Sequence, residues 1–112
     1  MNRGDIWYID LGGSGGKRPV LVLTRQGVID YLDKVTVVEI TSRGKGYPTE
    51  VFIGAAGNLP SPSFVQTDNI HTLAKHRLMK YAGTLNRELL NEVGLKIILA
   101  LGLEDAAEGL IG

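Results

Sequence analysis

From residue 5 to residue 84 the chain alternates short β-branched or aromatic runs with glycine, proline and small polar residues. Only after residue 84 does the apolar spacing become helical. Runs this short, closed this often, dictate a small sheet rather than a helical bundle. The strand-like runs cover residues 5–10, 18–24, 34–41, 49–53, 63–67 and 78–84, and fifteen glycines supply turns between them. Residues 25–33 read as mixed, a turn at Gln26-Gly27 and then either one helical turn or an irregular loop over residues 28–32, and residues 68–72 read as a turn-prone polar patch. Asn86 suits a helix N-cap, with Glu88 in the first turn. Leu89, Leu90, Val93, Ile97, Ile98 and Leu101 then share one helical face, opposite Arg87, Glu88, Asn91, Glu92 and Lys96. The end of this helix, residues 95–103, is apolar almost all round, which predicts burial in a subunit interface. Residues 104–112 read as a frayed tail. The expectation is one domain over residues 1–112, mainly β within the α+β class. It would be a small barrel or twisted sheet of about five to seven short strands with a C-terminal helix.

Charge and composition narrow the function. Twelve basic and twelve acidic side chains balance, so nucleic-acid binding would need a local patch rather than a global field. The absence of cysteine removes disulfides, thiolate nucleophiles and thiolate metal sites. The first residues lack the apolar core of a signal peptide, and the longest apolar run is too short to span a bilayer. A cytoplasmic protein without a membrane segment is expected.

The stretch Gly12-Gly13-Ser14-Gly15-Gly16-Lys17-Arg18-Pro19 hands two cations to the mouth of an apolar strand. Pro19 has no N–H for a ladder and so belongs at a strand start or edge, and it pushes Arg18 toward extended geometry. Neither nucleotide motif fits. A P-loop would need glycine at position 11, which is leucine, and Ser or Thr followed by a helix after Lys17. A dinucleotide fingerprint starting at Gly13 would need glycine at position 18, which is arginine. His71 and His76 are the only histidines, and with Asp68 they match no metal-ligand spacing. A triad from Ser63 or Ser14 with His71 and Asp68 lacks a nucleophile elbow.

What remains are polar side chains at strand ends. Arg18 opens the second run, Thr41 closes the third, and Gln66, Asp68, Asn69 and His71 follow the fifth. Taken singly, Thr41 reads as a turn cap, Asp68 as an Asx-turn former and His71 as a bystander. Taken together they are a guanidinium, a hydroxyl, a carboxylate and an imidazole. These are the groups that cleavage by a ribose 2′-hydroxyl needs: a cation for charge growing on phosphate, and groups that move protons.

The order of motifs resembles the MazF/PemK toxin family. The match is carried by residues 3–11, by Gly16-Lys17-Arg18-Pro19-Val20-Leu21-Val22-Leu23, and by Val37-Val38-Glu39-Ile40-Thr41-Ser42 with Tyr47-Pro48-Thr49-Glu50-Val51. Residues 66–73 and 85–93 continue it. The resemblance implies an SH3-like barrel with a C-terminal helix, usually a homodimer. It also implies a metal-independent, cofactor-free endoribonuclease that cuts single-stranded RNA to a 2′,3′-cyclic phosphate and a 5′-hydroxyl. A cognate antitoxin would inhibit it. Arg18 and Thr41 match the family's catalytic arginine and threonine, and Asp68 an acid used by some members. Gln66 stands where relatives carry arginine or apolar residues, and His71 where a basic residue is usual. In some relatives a glutamate in the loop between the first two strands acts in cleavage, but residues 12–16 here contain no acid.

On this reading Arg18 stabilises the transition state and is a candidate proton donor, Thr41 holds the phosphate, and Asp68 and His71 transfer protons or contact RNA. Lys17, Ser42, Arg43, Lys45, Gln66, Asn69, Lys75, His76 and Arg77 are candidate RNA contacts, with Tyr47 and Tyr81 available for base stacking. Two rivals share the barrel. One is an RNA- or antitoxin-binding module without turnover. The other is a gyrase-poisoning toxin acting through its helix tip, which Leu101-Gly102-Leu103 disfavours for want of an aromatic.

Overall fold

The computed structural model describes residues 1–10 and 16–111. Six strands, β1 (Asp5–Asp10), β2 (Lys17–Val22), β3 (Lys34–Thr41), β4 (Glu50–Gly54), β5 (Ser63–Ala74) and β6 (Leu78–Thr84), precede two helices, α1 (Arg87–Ala100) and α2 (Glu104–Ile111). All neighbouring strands pair antiparallel, in the order β4-β5-β3-β2-β1-β6. The glycine loop before Gly16 lies outside the described residues.

The apolar run of β2 is explained by burial on both faces. Leu21 joins Ile6, Val38, Ile40, Val51, Ile53 and Val65 in a core closed by Val93 of α1. Val20 and Val22 join Ile9, Ile29, Val35, Val37 and Leu78 in a second core on the opposite face. Ile29 reaches that core from a 3-10 turn, Gln26–Tyr31, the helical one of the two readings for that stretch. Helix α1 begins as its sequence predicts, with the Leu89 N–H donating to Asn86 Oδ1 at 2.8 Å.

Three expectations need correction. The barrel is not closed: among the described residues no ladder joins β4 to β6. Instead the 3-10 turn Ala56–Asn58 fills the seam, and Asn58 Nδ2 donates to the Ala82 carbonyl at 3.0 Å. Gly57 and Gly83 meet there backbone to backbone, so closely that a Cβ on Gly83 would lie 2.4 Å from Gly57 Cα. The predicted turn at residues 68–72 is absent, because β5 runs on to Ala74. Its turn-forming residues are absorbed as a bulge: Glu39 pairs with Gln66 and Val38 with Ile70, leaving Thr67, Asp68 and Asn69 without partners on β3. The third correction concerns residues 104–111, which form α2 rather than a frayed tail, with Glu104 and Asp105 in its first turn.

Candidate active site

Arg18 stands two residues before Val20 on β2, and Val20 pairs with Glu39 on β3. The β2–β3 pairing ends there; continued two residues past its last pair, the same register would set Arg18 across from Thr41. Glu39 and Val37 share a face of β3, because strand residues alternate. Val37 pairs with His71 and Glu39 with Gln66, so His71 and Gln66 join that face. Arg18, Glu39, His71, Thr72, Leu73, Ile9 and Arg77 line a cleft of about 350 Å³ on it.

Within the cleft, His71 Nε2 and Glu39 Oε2 are 2.5 Å apart. A carboxylate can only accept, so Nε2–H donates, and Nδ1 has no partner among the described residues. His71 is 48% exposed and Glu39 30%, so the pair is open to a bound ligand. Arg77 comes from the 3-10 turn Lys75–Arg77, and its guanidinium donates to the Asp10 carbonyl at 3.3 Å. Asp10 at the end of β1 pairs with Lys17 at the start of β2, on either side of the glycine loop. Arg77 therefore stands at the root of that loop.

A second network sits at the end of β3. The Glu50 carboxylate accepts from the N–H groups of Lys45, Gly46 and Tyr47 at 2.8–3.2 Å. It also takes a bond from Gln66 Nε2 at 3.3 Å. Burial pushes the Glu50 carboxyl up, but these donors outweigh it and hold the group below its ordinary 4.5. Asn69 Nδ2 donates to Gln66 Oε1 at 3.2 Å, tying the bulge of β5 into the same network. Thr41 Oγ1 accepts from the Arg43 N–H at 3.1 Å and so caps the turn into this loop.

The structure thus brings together part of the predicted set. Arg18, His71 and Arg77 share the cleft. Thr41 stands at its β3 end, and Ser42, Arg43, Lys45 and Tyr47 lie exposed on the loop that follows. Asp68 does not line the cleft; its Oδ2 accepts from Thr49 Oγ1 at 2.5 Å. Lys75 is half-buried and its N–H donates to the Asp33 carbonyl, while His76 is exposed outside the cleft. Tyr81 packs edge-on against Trp7 on β1, with ring centroids 5.7 Å apart. A larger, more open hollow of about 740 Å³ around Arg3, Arg25 and Lys34 holds none of the predicted residues. It lacks an imidazole.

Sequence reasoning missed the roles of Glu39 and Glu50. The signal for Glu39 was present: it is the one charged side chain inside the run Val35-Thr36-Val37-Val38-Glu39-Ile40. Such a charge needs a partner, and the partner is 32 residues away in sequence.

Comparison with known proteins agrees with this architecture. Residues 2–101 match the family described as PemK-like, MazF-like toxin of type II toxin-antitoxin system. A probable endoribonuclease MazF2 from Mycobacterium tuberculosis is 39% identical over 93 residues, covering 82% of this chain and 89% of the relative. An endoribonuclease MazF3 from the same species is 43% identical over 68 residues, 61% of this chain and 66% of its own. Among solved structures, a mycobacterial endoribonuclease in complex with its cognate antitoxin has a TM-score of 0.81 at 30% identity, covering 92% of this chain and 96% of that one. The Mycobacterium tuberculosis toxin MazF-mt6 has a TM-score of 0.79 at 34% identity, covering 88% and 96%. A fold shared along nearly the whole chain, with sequence identity to match, means that this protein belongs to the PemK/MazF family of type II toxin–antitoxin toxins.

Proposed function

We propose that this protein is a toxin-type endoribonuclease that cuts single-stranded RNA without a metal. The ribose 2′-hydroxyl attacks the adjacent phosphate, leaving a 2′,3′-cyclic phosphate and a 5′-hydroxyl. The observation that carries this reading is one cleft holding two guanidiniums, Arg18 and Arg77, beside the imidazole of His71. Guanidiniums suit the charge that grows on the phosphate oxygens, and the imidazole suits proton transfer. Thr41 holds the scissile phosphate at the end of the cleft. The Arg43–Lys45 loop, braced by Glu50, positions the strand through its phosphates. Lys17 and Lys75 add positive charge, and Tyr47, 54% exposed, offers a stacking face. Asp68, bonded to Thr49, serves to shape the bulge that carries Gln66 and Asn69.

The same reading includes two partners. A relative has been solved with its cognate antitoxin, and we assign an inhibitory antitoxin to this protein as well. Leu95, Leu99, Leu101 and Leu103 are 43–67% exposed along the end of α1 and beyond it. Covering them in a homodimer removes that apolar surface from water.

The test is incubation of the purified protein with a long mixed-sequence RNA in EDTA, followed by mapping of the cut ends. Cleavage with cyclic-phosphate termini is expected, with Arg18→Ala slower by about 10²–10³-fold. Equal cleavage by wild type and Arg18→Ala would refute the assignment, and loss of cleavage in EDTA would refute the metal-free mechanism. The acid-free loop at residues 12–16 favours the rival reading of a binding module. RNA binding with no cleavage would decide for it.

A further inference from the structure

The residues lining the cleft are Ile9, Arg18, Glu39, His71, Thr72, Leu73 and Arg77. Two are permanent cations, two are aliphatic, and one is a threonine whose hydroxyl is engaged with Thr36 Oγ1 at 2.9 Å. An arginine keeps its protons at any working pH. Among the described residues lining the cleft, the only side chains that can take up a proton are the imidazole of His71 and the carboxylate bonded to it. We propose that Glu39 and His71 form the general-base unit of this enzyme, with His71 the catalytic residue and Glu39 the group that positions it. The inference rests on the ribonuclease reading and supplies what the acid-free loop lacks.

The geometry assigns the roles. With Nε2–H committed to Glu39, the imidazole is fixed in the tautomer that leaves Nδ1 as an acceptor. The carboxylate also stabilises the imidazolium that forms when the proton arrives, as in an acid–histidine–nucleophile triad. In the cleavage step the 2′-hydroxyl proton passes to Nδ1 and the O2′–P bond forms as the P–O5′ bond breaks. The leaving O5′ takes a proton from solvent, and His71 releases its proton to solvent to complete the cycle. The fixed guanidiniums of Arg18 and Arg77 carry the phosphate charge throughout, so no cation needs to give up a proton.

The experiment compares the full-length wild type with Glu39→Gln, His71→Gln and the double variant, on an oligoribonucleotide containing one cleavage site. A matched substrate carries sulfur in place of the bridging O5′ oxygen, a leaving group that needs no protonation. Glu39→Gln is expected to lower kcat by about a hundredfold with KM little changed. The loss should persist on the sulfur substrate, and the double variant should be no slower than His71→Gln. A thermal melt of each variant separates this from misfolding. Because the His71 side chain is about half exposed, its own variant remains informative should Glu39→Gln fold poorly. Wild-type rates in a folded Glu39→Gln or in His71→Gln would overturn the proposal, as would independent, additive losses. Restoration of rate by the sulfur leaving group would overturn it too, by making the pair an acid. A wild type that cuts no RNA would overturn the ribonuclease reading itself, and the base assignment with it.

Discussion

Replacing Gly83 by alanine should open the seam between β4 and β6. A Cβ there would lie 2.4 Å from Gly57 Cα and 2.9 Å from Gly57 C, where ordinary contact begins at 3.4 Å. Both clashing atoms are backbone, so relief requires the Ala56–Asn58 turn to back away from β6 by about 1 Å. Forcing a methyl into a filled site costs about 1–3 kcal/mol. The retreat also strains the hydrogen bond from Asn58 to Ala82, worth about 1 kcal/mol. The expected loss is about 3 kcal/mol, a large share of the roughly 5–15 kcal/mol that holds a domain together. With a urea slope of about 1.5 kcal/mol/M, the unfolding midpoint should fall by about 2 M. Gly94→Ala is the matching control. Its site in α1 is open, and alanine there should stabilise by about 0.5–1 kcal/mol through helix propensity. Protein concentration must be held constant, since association would move both midpoints. A Gly83→Ala midpoint within about 0.3 M of wild type, at unchanged slope, would refute the claim that this backbone contact holds the turn in the seam.

Three further outcomes follow from the same structure. The Glu50 carboxyl is lower in the folded chain than in the unfolded one, so its stabilisation is complete above the ordinary value of 4.5 and fades as pH falls through the folded value. Glu50→Gln should therefore lower the melting temperature near neutrality and converge with wild type in acid; a deficit constant with pH would contradict this. Leu99→Glu, at a half-exposed position near the end of α1, should shift the protein from dimer to monomer in light scattering without unfolding it. Unchanged mass would refute the helix-end interface. Arg43→Ala and Lys45→Ala should each weaken RNA binding evenly across sequences and reduce the salt slope by about 0.7, as loss of one single-strand phosphate contact requires. A change in cleavage motif instead would mean that these side chains read bases.

Much of the sheet could be read from the chain because its causes are local. Runs of valine and isoleucine bounded by glycine fix where β2 and β3 lie, and Asn86 fixes where α1 begins. The long β5 was not legible, since Asp68-Asn69 carries turn chemistry that a bulge can also satisfy. Thr67 makes the bulge possible by burying its hydroxyl against the Thr49 carbonyl at 2.5 Å, a contact 18 residues distant. The filled seam was equally hidden, because it depends on two glycines, Gly57 and Gly83, meeting across the fold. Arg18 and His71, which line the cleft, were singled out from residue type and motif order. Glu39 escaped because its meaning lies in a cross-strand neighbour that only the register supplies.

The three bulge residues of β5 have a consequence for which chemical group the cleft receives. Had the pairing of Glu39 with Gln66 continued without interruption, the residue opposite Val37 would be Asp68. Three is an odd number, so the insertion both advances the strand and exchanges its faces, and His71 arrives at that place instead. The bulge acts as a parity selector, giving the cleft an imidazole where a regular ladder would have given it a carboxylate.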